Sequence, residues 1–89
     1  MEFEWSEAKR LAVVIERNLD FIDAPQLFDG RPLDTISSPR GMEQRWVGVG
    51  ELNERLAAVV WTLRDHTIRI ITMRRARRDE ERRYRALYG

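Results

Sequence analysis

Apolar and polar side chains alternate with period two across Glu2-Phe3-Glu4-Trp5, which predicts a short strand that Ser6 ends. Ser6 followed by Glu7 is a helix N-cap signature, and Ala8, Leu11, Ala12 and Ile15 recur at i, i+3, i+4 and i+7 as one helical stripe. The spacing predicts a helix from Glu7 to Arg17, closed by Asn18, a residue that tolerates a left-handed backbone. A second, two-turn helix follows, with Asp23 as its cap, Pro25 in its first turn, Leu27 and Phe28 on its buried side and Gly30 as its stop.

From Arg31 the period changes. Leu33, Thr35 and Ser37 alternate with Asp34 and Ile36, and Ser38-Pro39-Arg40-Gly41 reads as a loop. Arg45–Gly50, Leu56–Thr62 and Thr67–Met73 supply three more strands, joined by the short polar connections Glu51–Arg55 and Arg64–His66, which make hairpins and an antiparallel sheet. Asp79 is placed to cap a last helix, with Glu80 and Glu81 in its first turn and Tyr84, Leu87 and Tyr88 on its apolar side. The expected fold is α+β: one domain over residues 1–89, an antiparallel sheet of about four strands, two N-terminal helices and a short C-terminal helix, with the helices on one sheet face.

Composition narrows the chemistry. In 89 residues, 43% hydrophobic and 35% charged, there is enough apolar side chain for one core and no room for a second domain. No cysteine is present, so a disulfide framework, a thiol nucleophile and a cysteine-based zinc site are excluded. With one histidine, His66, in a polar turn, a two-histidine nuclease mechanism is excluded too, and neither a metal nor another cofactor is expected. The longest apolar stretch, Leu56–Leu63, falls far short of the roughly 20 residues that cross a bilayer, and the acidic start is not a signal peptide. The chain reads as cytoplasmic, with no membrane partner.

The net charge of +1 conceals a division. Residues 1–63 hold seven basic and eleven acidic side chains, net −4, whereas residues 64–89 hold nine arginines and four acids, net +5. Fifteen of the sixteen basic residues are arginine, whose planar fork grips phosphate or carboxylate at two points. Compositional drift toward arginine explains the number equally well, so position has to decide.

Strict alternation in Ile68–Arg75 puts Ile68, Ile70 and Thr72 on one face and Arg69, Ile71, Met73 and Arg75 on the other. Arginines on an uncovered sheet face suit a phosphate backbone; they equally suit a solvated strand whose charges prevent edge-to-edge pairing. Glu43 and Arg45 share one face, and a carboxylate beside a guanidinium serves either 2′-hydroxyl chemistry on RNA or a surface ion pair of little energetic value. Gly48 and Gly50 read as strand glycines that permit a bulge or close contact, and Trp5, Trp46 and Trp61 as core or half-buried residues, with base stacking open for Trp46 and Tyr84.

Nearly the whole chain is similar to one known family. Glu4-Trp5, Glu7-Ala8-Lys9, Asp20-Phe21 with Asp23-Ala24 and Phe28, Glu43-x-Arg45-Trp46, Val59-Val60-Trp61-Thr62 and Ile68-Arg69-Ile70-Ile71-x-x-Arg74-Arg75-Ala76, then Glu80 and Tyr84, resemble the BrnT-type toxins, a branch of the RelE/ParE-like superfamily of bacterial toxin-antitoxin systems. The resemblance implies a RelE-like domain and a small ribonuclease that blocks translation. It further implies a ribbon-helix-helix antitoxin as partner and binding of operator DNA only through the toxin-antitoxin complex. One departure stands out: the family usually has Lys-His-Gly at the end of the first helix, and this chain has Glu16-Arg17-Asn18.

On that basis Glu43, Arg45, Arg74, Arg75 and Tyr84 are the expected catalytic residues of a metal-independent endoribonuclease, and Arg69, Arg78 and Arg17 the expected RNA contacts. Glu43 is the candidate general base, Arg45 orients it or binds phosphate, Arg69, Arg74 and Arg75 hold the phosphate, and Tyr84 stacks on a base or donates a proton. The rival reading is a non-catalytic toxin that acts only as antitoxin partner in a repressor complex; the changed residues Glu16-Arg17 favour it.

Overall fold

The computed structural model describes residues 1–89. Along the chain run β1 (Glu2–Trp5), α1 (Glu7–Arg17), a 3-10 helix (Phe21–Phe28), β2 (Leu33–Ser37), β3 (Trp46–Leu52), β4 (Arg55–Arg64), β5 (Thr67–Arg75) and α2 (Arg78–Tyr88). Local chemistry sets most of these boundaries. The Ser6 hydroxyl accepts from the Lys9 N–H at 3.3 Å, and Asn18 closes α1 with φ of 55°. Asn53 and Glu54, both at positive φ, form the two-residue turn that twists β3 into β4. No helix is long and apolar enough to cross a membrane.

The sheet has five strands in the order β1-β5-β4-β3-β2 and is mixed rather than antiparallel, because β1 pairs in parallel with β5. That pairing joins segments more than sixty positions apart, so no hairpin signal announces it. The second helix is a 3-10 helix capped by Asp20, whose carboxylate accepts from the Ile22 N–H at 3.0 Å, so Asp23 is not the cap. Likewise Glu80, not Asp79, serves the start of α2 by accepting from the Arg77 N–H at 2.8 Å.

Alternation along the strands divides the sheet into two faces. One packs Val59, Trp61, Ile68, Ile70 and Met73 against Val13, Phe21, Ala24 and Leu27 from α1 and the 3-10 helix. There Phe28 meets Trp61 edge-on at 4.9 Å, and Trp61 stacks on Trp46. Gly48 is required at this layer: a Cβ there would lie 2.8 Å from the Trp61 ring. The helices do not all share this face. α2 lies on the opposite one, where Tyr84 packs on Val49, Leu56 and Ala58.

Two facing predictions are also corrected. In α1, Val13 is the buried residue, while Leu11 is 48% and Ile15 83% exposed, so the apolar stripe faces outward. In β5, Trp61 pairs with Ile70 but Val60 pairs with Thr72, leaving Ile71 as an extra residue, a β-bulge. Beyond the bulge parity is reversed. Met73 joins the helix-covered core, Arg75 follows it to that side opposite Ala57, and Thr72 and Arg74 take the open face that alternation had given to Met73 and Arg75.

Candidate active site

α2 covers only part of its sheet face, and the uncovered remainder forms a groove of about 420 Å³. Val47, Val60, Ile71 and Thr72 make its floor, and Arg45, Arg74 and Arg77 stand at its walls. Across Arg45 a second hollow of about 360 Å³ is lined by Ser6, Lys9, Glu43, Arg45, Arg64 and Arg69 with Ile70 and Ile71. Arg45 and Ile71 border both, so the two hollows adjoin.

Glu43 is held by its backbone. Its N–H donates to the Arg40 carbonyl at 3.0 Å and its carbonyl accepts from the Arg40 N–H at 2.9 Å, closing a turn in which Gly41 adopts φ of 61°. The next residue is anchored by the buried Thr62 hydroxyl, which donates to the Gln44 carbonyl at 2.6 Å. The Glu43 carboxylate accepts from Arg45 Nε at 2.6 Å and faces Arg64 Nη2 at 3.8 Å. Arg69 Nη1 lies 3.7 Å from Glu4 Oε2, too far for a good hydrogen bond, which leaves its donors available to the hollow. One carboxylate, three guanidiniums and Lys9 therefore converge on a half-open surface. Such a set offers an acceptor for a hydroxyl proton and several donors for a phosphate.

Glu43, Arg45 and Arg69 are thus brought together. Arg74 borders the larger groove, but Glu80 holds it through two bonds, at 2.7 and 2.9 Å. The pairing raises the pKa of Arg74 and, with the Arg77 N–H, lowers that of Glu80. Arg75 stands on the other sheet face near Arg55, and burial first, then the Arg55 charge, lowers its pKa. Arg17 fastens α1 to β5 by donating to the Met73 carbonyl at 2.8 Å and the Thr72 hydroxyl at 3.2 Å. That contact falls just past Ile70, where β1 stops covering the edge of β5. Arg78 lies on the outward side of α2. Tyr84 is 6% exposed, its ring packed on the sheet and its hydroxyl 3.5 Å from the Pro32 carbonyl, so it serves to dock α2 and presents neither ring nor proton to the groove.

Sequence reasoning missed Arg64 and Lys9. Arg64 carried a usable signal: it lies two residues after Thr62, the partner of Arg69, and so falls on the arginine face by alternation. Lys9 reaches the hollow through the placement of α1 beside β5, a tertiary fact with no local mark.

No individual curated protein matches the chain. A family model does match, over residues 5–80, and those residues include Glu43, Arg45, Arg64 and Arg69. The match is to the BrnT family itself and does not reach the wider RelE/ParE-like grouping. By that match this chain belongs to the family described as the ribonuclease toxin, BrnT, of type II toxin-antitoxin systems.

Proposed function

We propose that this chain is a metal-independent endoribonuclease that blocks translation by cleaving RNA, with Glu43 as general base. The observation that carries this reading is the convergence of Arg45, Arg64 and Arg69 around the Glu43 carboxylate beside an open groove. Glu43 takes the proton of a 2′-hydroxyl as that oxygen attacks the adjacent phosphorus. Arg69 and Arg64 offset the charge that builds on the phosphoryl oxygens, Arg45 keeps the carboxylate aligned, and the 5′-oxygen leaves with a proton from solvent in the groove. Products are a 2′,3′-cyclic phosphate and a 5′-hydroxyl. Arg74 contributes from outside this cluster as a wall of the neighbouring groove, whereas Arg75, on the opposite sheet face, takes no part. A ribbon-helix-helix antitoxin neutralises the toxin by covering the same basic surface, and operator DNA binds the pair rather than the toxin alone.

A second reading, a non-catalytic toxin that works only as antitoxin partner, draws on one observation: Arg74 and Arg17 are both engaged inside the chain, at Glu80 and at the Met73 carbonyl. Induced expression without antitoxin separates the two. The nuclease reading expects growth arrest and fragmented RNA, both relieved by Glu43→Gln. Intact growth and intact RNA, with folded protein confirmed, would leave only the partner role. Gel shifts on operator DNA test the partnership: sequence-specific binding by the toxin alone would sink it.

A further inference from the structure

The arginines of α2 divide by direction. Arg83 donates from Nε to the buried Asp34 carboxylate at 2.8 Å, and at the start of the helix Glu80 holds Arg74. Arg78, Arg82 and Arg85 lie on the other side, at i, i+4 and i+7, all exposed. None of the three enters an ion pair, and Glu81 is the single acid that shares their face.

Helix stability accounts for Arg85, a cation in the last turn, but not for the rest of this placement. A cation in the first turn opposes the helix dipole, and Arg78 is the first residue of α2. Arg78 and Arg82, like charges four apart, repel one another on the helix surface. Nor are the three isolated from the groove. Arg77, the residue before α2, lines the groove together with Arg74, so cationic side chains continue from the groove wall through Arg77 and Arg78 onto the outside of the helix. At 1.5 Å per residue, Arg78 and Arg85 stand about 10 Å apart along the axis, a strip rather than a point.

We propose that the outward face of α2 binds the phosphate backbone of single-stranded RNA where the strand continues past the groove, with Arg78, Arg82 and Arg85 holding its phosphates. The identity of the polyanion rests on the nuclease reading; the existence of the surface does not. A single strand is the fitting occupant because the strip is narrow, continuous with the groove, and made of forked donors that take phosphate oxygens at two points.

The test uses 2′-O-methyl RNA, which cannot be cleaved by 2′-oxygen attack, in two lengths: about 6 nucleotides, enough for the groove, and about 15, enough to continue onto α2. Arg82→Gln with Arg85→Gln removes two charges and keeps helix propensity, and a thermal melt checks the fold. Fluorescence anisotropy should show the long RNA bound roughly tenfold or more weakly, with a salt slope shallower by about 0.7 for each phosphate that is no longer neutralised, and the short RNA unchanged. Arg82→Lys with Arg85→Lys should retain most of the salt slope, since a point charge still releases counterions. Long RNA bound by the Gln variant as tightly as by the wild type would overturn the proposal. So would a loss confined to duplex DNA. A wild-type chain that leaves natural RNA uncut, yet loses long-RNA affinity on these changes, overturns the nuclease reading and supports the α2 surface.

Discussion

The two faces of the sheet are made by the same strands and differ in almost everything else. Under α1 and the 3-10 helix, Phe21, Ala24, Ala57, Val59 and Met73 are fully buried, and the packing is aromatic and aliphatic. On the α2 side the apolar cluster is small, and the remaining surface carries Glu43, Arg45, Arg64, Arg69 and Arg74 in ion pairs. One face excludes water and so dominates stability; the other is left partly open and contributes little to it, since exposed ion pairs are worth about 0–1 kcal/mol. Because side chains alternate, a change on one face need not be felt on the other. The covered face fixes the frame and the open one is free to carry chemistry.

This division is most severely tested on the covered side. Phe21→Ala should cost about 3–5 kcal/mol, a large share of the stability of a domain this size, as read from urea unfolding. On the open side Glu43→Gln should lower RNA cleavage about 10²–10⁴-fold while moving the unfolding midpoint hardly at all. A Glu43 variant that unfolds would mean that the open face also holds the fold together. Gly48→Ala, where the new methyl meets the Trp61 ring, should cost about 1–3 kcal/mol and shift the tryptophan fluorescence.

Smaller effects sharpen the picture at α2. Glu80 has its pKa lowered by Arg74 and the Arg77 N–H, so its stabilising share is full above about pH 4.3 and is lost as pH falls through the depressed folded value. Glu80→Gln should therefore be less stable than the wild type at neutral pH and nearly equal to it in strong acid, as measured by denaturation across that range. Tyr84→Phe removes a hydroxyl that sits far from the Pro32 carbonyl for a hydrogen bond, and should change both melting and cleavage least of all. A large loss of cleavage in that variant would return Tyr84 to the chemistry.

What was legible in the sequence is what neighbours in the chain determine. Ser6 and Asn18 mark both ends of α1, and alternation, the apolar run Leu56–Thr62 and the Ile- and Thr-rich stretch Thr67–Met73 mark the strands, because caps, periodicity and composition are local physics. The pairing of β1 with β5, the side taken by α2 and the outward turn of Ile15 depend on how distant segments meet. In the candidate site, Arg69 was legible because it lies before the bulge in β5, and Glu43 and Arg45 because they stand two residues apart, although both precede β3 and Glu43 sits in a turn. Arg75 was misplaced because Ile70 and Ile71 are both apolar, and two isoleucines in a row give no sign of which one is extra.

That extra isoleucine makes β5 behave like a text with one inserted letter: every residue after it is read in a shifted frame. Because Ile71 has no partner in β4, deleting it would close the bulge and still leave Thr72 opposite Val60, Arg74 on the groove side beside Glu80 and Arg75 opposite Ala57. The two neighbouring arginines are chemically identical, so their separate stations are assigned by their pairing with Ala58 and Ala57. Loss of that one codon would leave both where they are, so β5 carries one residue more than its pairing needs.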